Sequence, residues 1–536
     1  MKNFLLVSLC LSSILLADNN QLDKPVLLSL EELMNIEITT ASHEKEKTSE
    51  SLAIVSVLTS TQLEQMGAIN LYEALSFLPG IQLNETYIGY TVLTFRGINP
   101  GLYNNKALFM INGHPVHEKL FGSSHLEFIP LEMIDRIEVV RSPASVLYGT
   151  NAISGVVNVI TKKGVDFTSS ITTRVGSNNH YYGNFNIHDT HISMSASYQN
   201  DDGYTYEGVK DELGQDINKD YQNDLANFFI DMNYEQWRVQ VGYYQSKKEK
   251  LGLSPIIQHG GINDFESYYF DVNKAFTIGD AELNIWLRYD DMEKSLETQK
   301  FPHPVTGNPI HAKNRVRRYS TEVQYKDYSL ENLDYIIGLS AEYDKNDPTL
   351  FYDQTDGSIH PFSPIKESQS VSNIALYSQV KYMIDDQLTG IAGVRLDHNS
   401  DTDSAINPRL GLNYEYIPET YFKLLYSEAY RSPVFVEKYP DVPGVLKGDL
   451  DLKREKISTF ELGLDTQINN SNSLQITSFY AVLKDQIIRQ ASNLGGSEYV
   501  NGERLTTYGL ETQLNSILNK KTELMLNASY VDGKQE

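Results

Sequence analysis

The chain has 536 residues, which is too long for one small domain of about 150 residues. Asp and Glu outnumber Lys and Arg by 70 to 45, and the formal net charge of −25 argues against a groove that neutralises nucleic-acid phosphates. The one cysteine, Cys10, lies in an N-terminal apolar run, so a mature chain without that run has no disulfide, no cysteine metal ligand and no catalytic thiol.

The first 17 residues have the pattern of a secretory signal peptide. Lys2 precedes an apolar run from Phe4 to Leu16, and the small Ala17 comes before the polar Asp18. The run is too short for a membrane-spanning helix, and no later segment offers about 18 consecutive apolar residues. We therefore expect cleavage after Ala17 and an exported chain that is periplasmic, secreted or an outer-membrane β-barrel.

Residues 51–165 mix short strands with helices. Ile54 to Leu58 is predicted as a strand, and a helix is predicted to begin at Asn70. The apolar run Ala107 to Ile111 is typical of a buried strand, and the Asn112-Gly113 pair after it is typical of a tight turn. These elements predict a small α+β domain.

Residues 166–536 contain about 17 short segments in which apolar and polar residues alternate, as they do from Ala281 to Asp290. Segments of about 8 to 12 residues cross a bilayer when they are tilted. Long acidic loops, 201–224 and 344–370, alternate with short turns such as 385–387, and the 35 tyrosines suit the two edges of a membrane. The pattern favours a transmembrane antiparallel β-barrel, with a soluble β-rich protein as the alternative.

Several motifs follow one another in a definite order. The longest is RIEVVRSPASVLYGTNAISGVVNVITKK, from Arg136 to Lys163, and EALSFLPGIQL, FRGI and LFMINGHPV precede it. YSEAYRSP, DLDLKREKISTFELGL and YGLETQL follow among the predicted strands. This set resembles the TonB-dependent outer-membrane receptor family, whose fold is mainly β, a transmembrane antiparallel barrel of about 22 strands with an N-terminal α+β plug inside its lumen. Since about 17 strands are present, we expect the barrel to be incomplete at the C-terminus.

The resemblance implies four segments: a signal peptide, 1–17, an N-terminal segment, 18–50, a plug, 51–165, and a barrel, 166–536. It also implies a TonB box in the second segment, a short extended run that the partner TonB contacts. Strand addition through main-chain hydrogen bonds suits such a run. The best candidate consists of Ile36, Glu37, Ile38, Thr39, Thr40 and Ala41, with an ordinary first strand or tether as the alternative.

The resemblance further implies ion pairs between plug arginines and barrel glutamates. The plug candidates are Arg96 and Arg141. The alternation that turns Phe460 outward turns Glu461 inward, and the same argument makes Glu511 face the lumen. We expect these four charges to meet, the alternative being separate solvated charges.

Loops 84–90 and 114–125, at the extracellular end of the expected plug, are predicted to bind the ligand. Aromatic side chains there suit a metal chelate or another large planar ligand, with ordinary loop packing as the alternative. The candidates are Tyr87, Tyr90, His117, Phe121 and His125. His114, His117 and His125 might suggest a metal site, but their spacing matches no compact site, so no metal ligand is expected, with a bare ion as the alternative. No cofactor is expected.

Together these features predict a TonB-dependent active transporter or receptor in the outer membrane of a Gram-negative bacterium, with a ferric siderophore as the favoured ligand. Cobalamin, heme or another metal chelate is the alternative, although residues 432–451 lack the histidine that heme receptors of this family typically place there. A passive porin is disfavoured by the plug motif, and no GxSxG or HExxH motif points to an enzyme. The expected partners are TonB with its inner-membrane complex, outer-membrane lipid and lipopolysaccharide, and the chelate, but no nucleic acid, and the chain is expected to be a monomer.

Overall fold

The computed structural model describes residues 36–42, 45–86, 90–164, 167–203, 208–210, 214, 216–217, 222–250, 261–298, 310–493, 495–519 and 522–536. The predicted signal peptide and Tyr87 lie outside these ranges. No helix among the described residues is long and apolar enough to span a membrane.

The N-terminal domain is built around a five-stranded sheet. Its strands are β3 Val55–Thr59, β6 Ala107–Ile111, β7 His114–Pro115, β8 Ile134–Val140 and β9 Gly155–Thr161. The strand order is β3, β8, β9, β6, β7, and β6 runs parallel to β9 while the other neighbours are antiparallel. Two short hairpins accompany it, β1 Glu37–Ile38 with β2 Glu46–Lys47, and β4 Ile81–Glu85 with β5 Thr91–Phe95.

Two helices pack beside this sheet, Ser60–Met66 and Leu71–Ser76. The second is the helix predicted at Asn70, whose side chain accepts a hydrogen bond from the backbone of Glu73. The first was not predicted from the sequence, although Thr59 and Gln62 form a reciprocal capping box at its start. Apolar residues of both helices and of the sheet form one core, which includes Leu63, Leu75 and Val157.

Among the described residues, a second, larger sheet of 18 strands forms the barrel wall, and neighbouring strands are antiparallel throughout. One member is only four residues long, so seventeen longer strands make up the wall, as predicted. The strands are β10 Ser170–Gly176, β11 His180–His188, β12 Ile192–Asp201, β15 Asn223–Tyr234, β16 Trp237–Lys250, β17 Gly261–Ile278, β18 Ala281–Thr298, β19 Ile310–Leu330, β20 Leu333–Asn346, β21 Leu350–Asp353, β22 Gln369–Met383, β23 Leu388–Asn399, β24 Ala405–Ile417, β25 Thr420–Arg431, β28 Glu455–Asn469, β29 Asn472–Lys484, β32 Leu505–Asn519 and β33 Thr522–Gln535.

Side chains alternate across this wall. Phe460 and Leu462 are 55% and 61% exposed on the outer face, whereas Glu461 between them is 1% exposed and points to the interior. The interior is occupied by the N-terminal domain, whose polar side chains and backbone bond to inward-facing residues of the wall. The predicted fold, a mainly β antiparallel barrel with an α+β plug in its lumen, is therefore confirmed.

The two ends of the wall differ. At one end short turns join the strands, such as 384–387 between β22 and β23 and 279–280 between β17 and β18. At the other end longer connections carry additional elements. These are β13 Val209–Lys210, β14 Asp216–Ile217, β26 Asp441–Val442, β27 Leu446–Lys447, β30 Ile487–Ala491, β31 Ser497–Asn501 and the helix Phe435–Lys438. We call these the turn end and the loop end. Both long loops are shorter than predicted, because β12 continues to Asp201 and β20 continues to Asn346.

Candidate functional site

Four buried charged side chains meet where the plug contacts the wall. Arg96 donates from Nε and Nη2 to the two carboxylate oxygens of Glu511, at 3.0 and 2.9 Å, and from Nη1 to Glu461 Oε1 at 2.7 Å. Arg141 Nη1 lies 2.9 Å from Glu511 Oε2. All four side chains are buried. The structure thus brings together the four residues that the resemblance singled out, as two arginines against two carboxylates.

The local sequence makes room for this cluster. Gly80 has a φ of +77°, and a Cβ there would lie 1.9 Å from Glu511 Oε1, so glycine is required at this position. Pro79, which precedes it, accepts a hydrogen bond from Arg141 through its carbonyl. Arg96 itself has a φ of 48°, a strained conformation for a residue with a side chain. Its hydrogen bonds to Glu511 and Glu461 hold it there.

A second buried cluster joins the plug to the wall near the loop end, and the sequence did not predict it. Lys106 and Arg431 both bond to Glu455, and Arg431 makes two further bonds to Glu437, at 3.0 and 2.9 Å. Burial lowers the pKa of Lys106 to about 8, and the neighbouring Arg431 adds to this effect. Glu437 belongs to the short helix Phe435–Lys438, which lies in the loop between β25 and β28. This cluster therefore joins the plug to a loop at the loop end of the barrel.

His114 fixes the plug to the opposite part of the wall. The fully buried imidazole contacts Asp271 Oδ2 through Nδ1 at 3.1 Å and Asp290 Oδ1 through Nε2 at 2.9 Å. It also stacks on Tyr269, with ring centroids 3.8 Å apart. Burial alone lowers the pKa of His114, but Asp290 and Asp271 outweigh it and raise the pKa above 6.5. His114, whose role as a metal ligand was weighed from the sequence, is instead enclosed by two carboxylates and a tyrosine ring.

The predicted TonB box is docked against the plug at the turn end. Its residues Ile38, Thr40 and Ala41 are buried. Glu138 Oε2 accepts three hydrogen bonds from it, from the backbone N–H groups of Thr39 and Thr40 at 3.0 and 2.9 Å and from Thr40 Oγ1 at 2.6 Å. The carbonyl oxygens of this segment are also bound, since Tyr148 donates to Thr40 and the barrel residue Arg409 donates to Ala41.

Three of the four predicted ligand residues that the structure describes, Tyr90, Phe121 and His125, lie together at the loop end of the plug. Tyr90 is 5.7 Å from His125, centroid to centroid. Tyr103, which sequence reasoning missed, bridges the group, since its ring lies 5.9 Å from Tyr90 and 4.5 Å from Phe121. We call Tyr90, Tyr103, Phe121 and His125 the apical aromatic cluster.

His117 lies outside the apical aromatic cluster. It is buried beside the guanidinium of Arg318, with Arg318 Nη1 3.4 Å from Nε2 of the imidazole. Burial, and next the charge of Arg318, hold the pKa of His117 well below its ordinary value. In the described part of the chain no three His, Cys, Asp or Glu side chains are grouped so as to hold a metal ion.

A barrel lysine completes the apical aromatic cluster. Lys294 Nζ lies 4.2 Å from the ring centre of Phe121 and 4.9 Å from that of Tyr90. This ammonium is buried, and none of the described residues accepts a hydrogen bond from it. Because Lys294 lies on β18, about 200 residues from Tyr90 in sequence, only the tertiary fold could reveal the contact.

Comparison with known proteins supports this architecture. Residues 47–156 match the family model of the TonB-dependent receptor plug domain, and residues 164–536 match that of the TonB-dependent receptor-like β-barrel. The vitamin B12 transporter BtuB of Vibrio vulnificus is 24% identical over 80% of this chain and 66% of its own length. An iron-regulated outer membrane virulence protein of Vibrio cholerae is 24% identical over 90% of this chain and 76% of its own length.

Among solved structures, the siderophore receptor PirA from Pseudomonas aeruginosa has a TM-score of 0.67 at 19% identity, covering 90% of this chain and 85% of that one. At this identity the likeness concerns the fold alone. The barrel match by itself covers well over half of the 536 residues. Its extent, together with the plug match that precedes it in the chain, establishes that the protein belongs to the TonB-dependent receptor family and is an outer-membrane protein.

Proposed function

We propose that the protein binds a metal chelate at the loop end and imports it across the outer membrane when TonB pulls on Ile36–Ala41. The observation that carries this proposal is the docking of a complete plug in the barrel interior, with Ile36–Ala41 held at the turn end. A barrel that served as an open pore would have no use for a plug fixed by buried ion pairs. The turn end faces the periplasm in outer-membrane barrels, where an inner-membrane partner can reach it.

Transfer of force through this segment follows from its contacts. Ile36–Ala41 is anchored chiefly on Glu138, which lies on β8, an interior strand of the plug sheet. A partner strand that pairs with the segment would compete for the backbone N–H groups of Thr39 and Thr40. Pulling would therefore load β8 directly, and this strand is hydrogen-bonded to both β3 and β9.

The ligand that we favour is a ferric siderophore, bound at the apical aromatic cluster. Aromatic rings and an ammonium at one place suit a chelate with flat, electron-rich donor groups. PirA, which has a similar fold, is a siderophore receptor, and this is consistent with our choice. The proposed limits of the parts are those predicted from the sequence: residues 18–50 for the coupling segment, 51–165 for the plug and 166–536 for the barrel. The protein acts as a monomer in outer-membrane lipid and lipopolysaccharide, without catalysis.

Cobalamin is the second candidate, because the name of the relative from Vibrio vulnificus is that of a vitamin B12 transporter. A growth test separates the two. A strain that lacks the gene is grown with ferric siderophores as the only iron source, and separately with cobalamin as a required nutrient. Loss of growth on one or more siderophores alone supports our choice, whereas loss of growth on cobalamin alone replaces it with the second candidate. Normal growth in every condition contradicts the import function.

A further inference from the structure

A cavity of about 900 Å³ lies between the plug and one side of the barrel wall. Its plug side includes Asn112 and Asn158, and its wall side is formed by strands from β16 to β23. At one extremity it reaches Ile36 and Thr39 of the predicted TonB box. At the other it reaches Glu342, near the loop end of β20. This volume lies near the upper end of the range for pockets that bind small molecules.

The lining of this cavity is cationic. Among the described residues, eight lysines and arginines line it against five carboxylates, in a chain whose formal net charge is −25. Six of the cations are Arg136, Arg238, Arg288, Arg318, Lys326 and Arg395. An excess of one sign inside a low-dielectric enclosure raises the local concentration of ions of the other sign.

The ion-pair geometry strengthens this excess. Arg238, Arg318 and Arg395 bond to Asp231, Asp290 and Asp397 respectively. None of these three carboxylates lines the cavity, although their arginines do. Each pair therefore presents its guanidinium to the enclosed space and keeps its carboxylate behind it. A pair arranged in this way acts as a dipole whose positive end faces the cavity.

Lys163 lies among the same cations. Partial desolvation and then the charge of Arg238 lower the pKa of its ammonium, Arg136 and Lys45 act in the same direction, and the opposing charge of Asp231 does not outweigh them. The part of the chain that the structure describes supplies no ion pair to Lys163, which also lines the cavity. Lys163 therefore adds a cation without an ion pair among the described residues to a group in which Lys45, Arg136 and Arg238 each have a carboxylate partner.

A further cation lies at the loop end, outside the cavity. The buried ammonium of Lys294 faces the rings of Phe121 and Tyr90 and has no hydrogen-bond acceptor among the described residues. Burying an ammonium without an acceptor is costly, so the site is poised for an anionic group. The apical aromatic cluster, where a ligand would first bind, therefore favours a negatively charged ligand. The cavity below it favours the same charge.

We propose that the cargo is an anionic metal chelate, and that it passes the plug through this cavity. The inference rests on the proposed import function and adds to it the charge of the ligand and the side of the plug on which it travels. The chelate first pairs with Lys294 over the aromatic rings, and the cationic lining then conducts it toward the space vacated when Ile36–Ala41 leaves Glu138.

The test measures uptake in cells that contain TonB but lack their own chelate receptors, and that express this protein. Three probes are compared: a ferric tris-catecholate chelate with net negative charge, a neutral ferric trihydroxamate chelate and neutral cyanocobalamin. We expect the anionic chelate to enter at least about tenfold faster than either neutral probe, the factor that 1.4 kcal/mol of discrimination produces. Equal entry of a neutral probe overturns the inference but leaves the import function intact, whereas absence of both binding and entry of all three overturns both.

Variants test the passage separately from binding. Lys163→Gln and Lys326→Gln each remove one cation from the cavity lining, far from the apical aromatic cluster. We expect each to lower the maximal uptake rate of the anionic chelate about threefold, at an unchanged half-saturating concentration. The matched control is Lys274→Gln, because Lys274 packs over Trp237 and does not line the cavity. Wild-type uptake rates in both cavity variants, or an equal loss in the control, contradict the assignment of this cavity as the passage.

Discussion

Arg96 of the plug and Glu511 of the barrel wall are joined by two parallel hydrogen bonds, of 3.0 and 2.9 Å, in a site from which water is excluded. Such fork-to-fork pairs fix orientation as well as distance. A buried pair of this kind adds little net stability, since desolvation offsets the attraction. Its effect is to make any other seating of the plug costly, because each alternative leaves a charge buried alone.

The first prediction concerns removal of the shared carboxylate. Glu511→Ala leaves Arg96 and Arg141 without their common partner, and we expect plug docking to lose about 3 to 5 kcal/mol. The loss is measured as a lower temperature of plug unfolding in detergent micelles and as faster proteolysis of residues 51–165. The exposed Glu503 provides the control, since Glu503→Ala removes a carboxylate without any buried partner. Equal stability of the two variants would show that the cluster does not hold the plug.

The second prediction is a pH dependence of docking through His114. The folded-state pKa of His114 is raised above 6.5, so its stabilising charge is fully present below pH 6.5 and is lost as the pH rises through the raised pKa. The groups that face it are Asp271, Asp290 and Tyr269. We expect docking stability to fall with rising pH in that window, and His114→Gln to flatten the curve there. The exposed His398 gives the control variant His398→Gln, and a curve unchanged by His114→Gln would refute the role.

The third prediction concerns the anchor of the predicted TonB box. Glu138→Ala removes three hydrogen bonds to a charged acceptor, each worth about 1.5 to 3 kcal/mol, so the undocked population of residues 36–41 should rise at least tenfold. A spin label on Thr39→Cys reports this as increased mobility, which is practicable because Cys10 is the only cysteine in the sequence. The control is Glu132→Ala, whose carboxylate bonds to Tyr182 on the wall instead. A label that stays immobile in Glu138→Ala would remove Glu138 as the anchor.

The fourth prediction concerns the apical aromatic cluster. Tyr90→Ala and Phe121→Ala each delete a ring that contacts its neighbours and Lys294, and we expect the dissociation constant of the chelate to rise about tenfold in each. Isothermal titration of the purified protein measures the change. Phe77→Ala is the control, since Phe77 is 46% exposed beside β33 at the other side of the plug. Unchanged affinity in both cluster variants would assign these rings to packing, the alternative weighed from the sequence.

Sequence patterns predicted the parts of the fold that depend on local periodicity. Alternation with period two identified the wall strands and turned Glu461 inward, because side-chain direction in a strand depends only on parity. The parity argument reached Glu511 in the same way. The helix Ser60–Met66 was missed although its signal was present, since Thr59 and Gln62 have the spacing of a capping box.

Contacts between distant segments could not be predicted in this way. Lys106 and Glu455 are 349 residues apart, and nothing in the local sequence of either indicates the other. The place of Lys294 likewise depends on how β18 faces the plug. The surroundings of His114 could not be predicted either. Its neighbours in sequence do not indicate Asp271 and Asp290, the two aspartates that enclose it in the fold.

The central claim is that TonB drives import by pulling Ile36–Ala41, and the most direct measurement is energised uptake of a ⁵⁵Fe-labelled chelate by cells that express Ile38→Pro. Proline removes a backbone donor and blocks strand pairing, so coupling should be lost while the ligand site stays intact. The account predicts that the variant binds the chelate with wild-type affinity but takes up no more than cells that lack TonB. Uptake at the wild-type rate by Ile38→Pro, or by wild-type protein in cells without TonB, would contradict it.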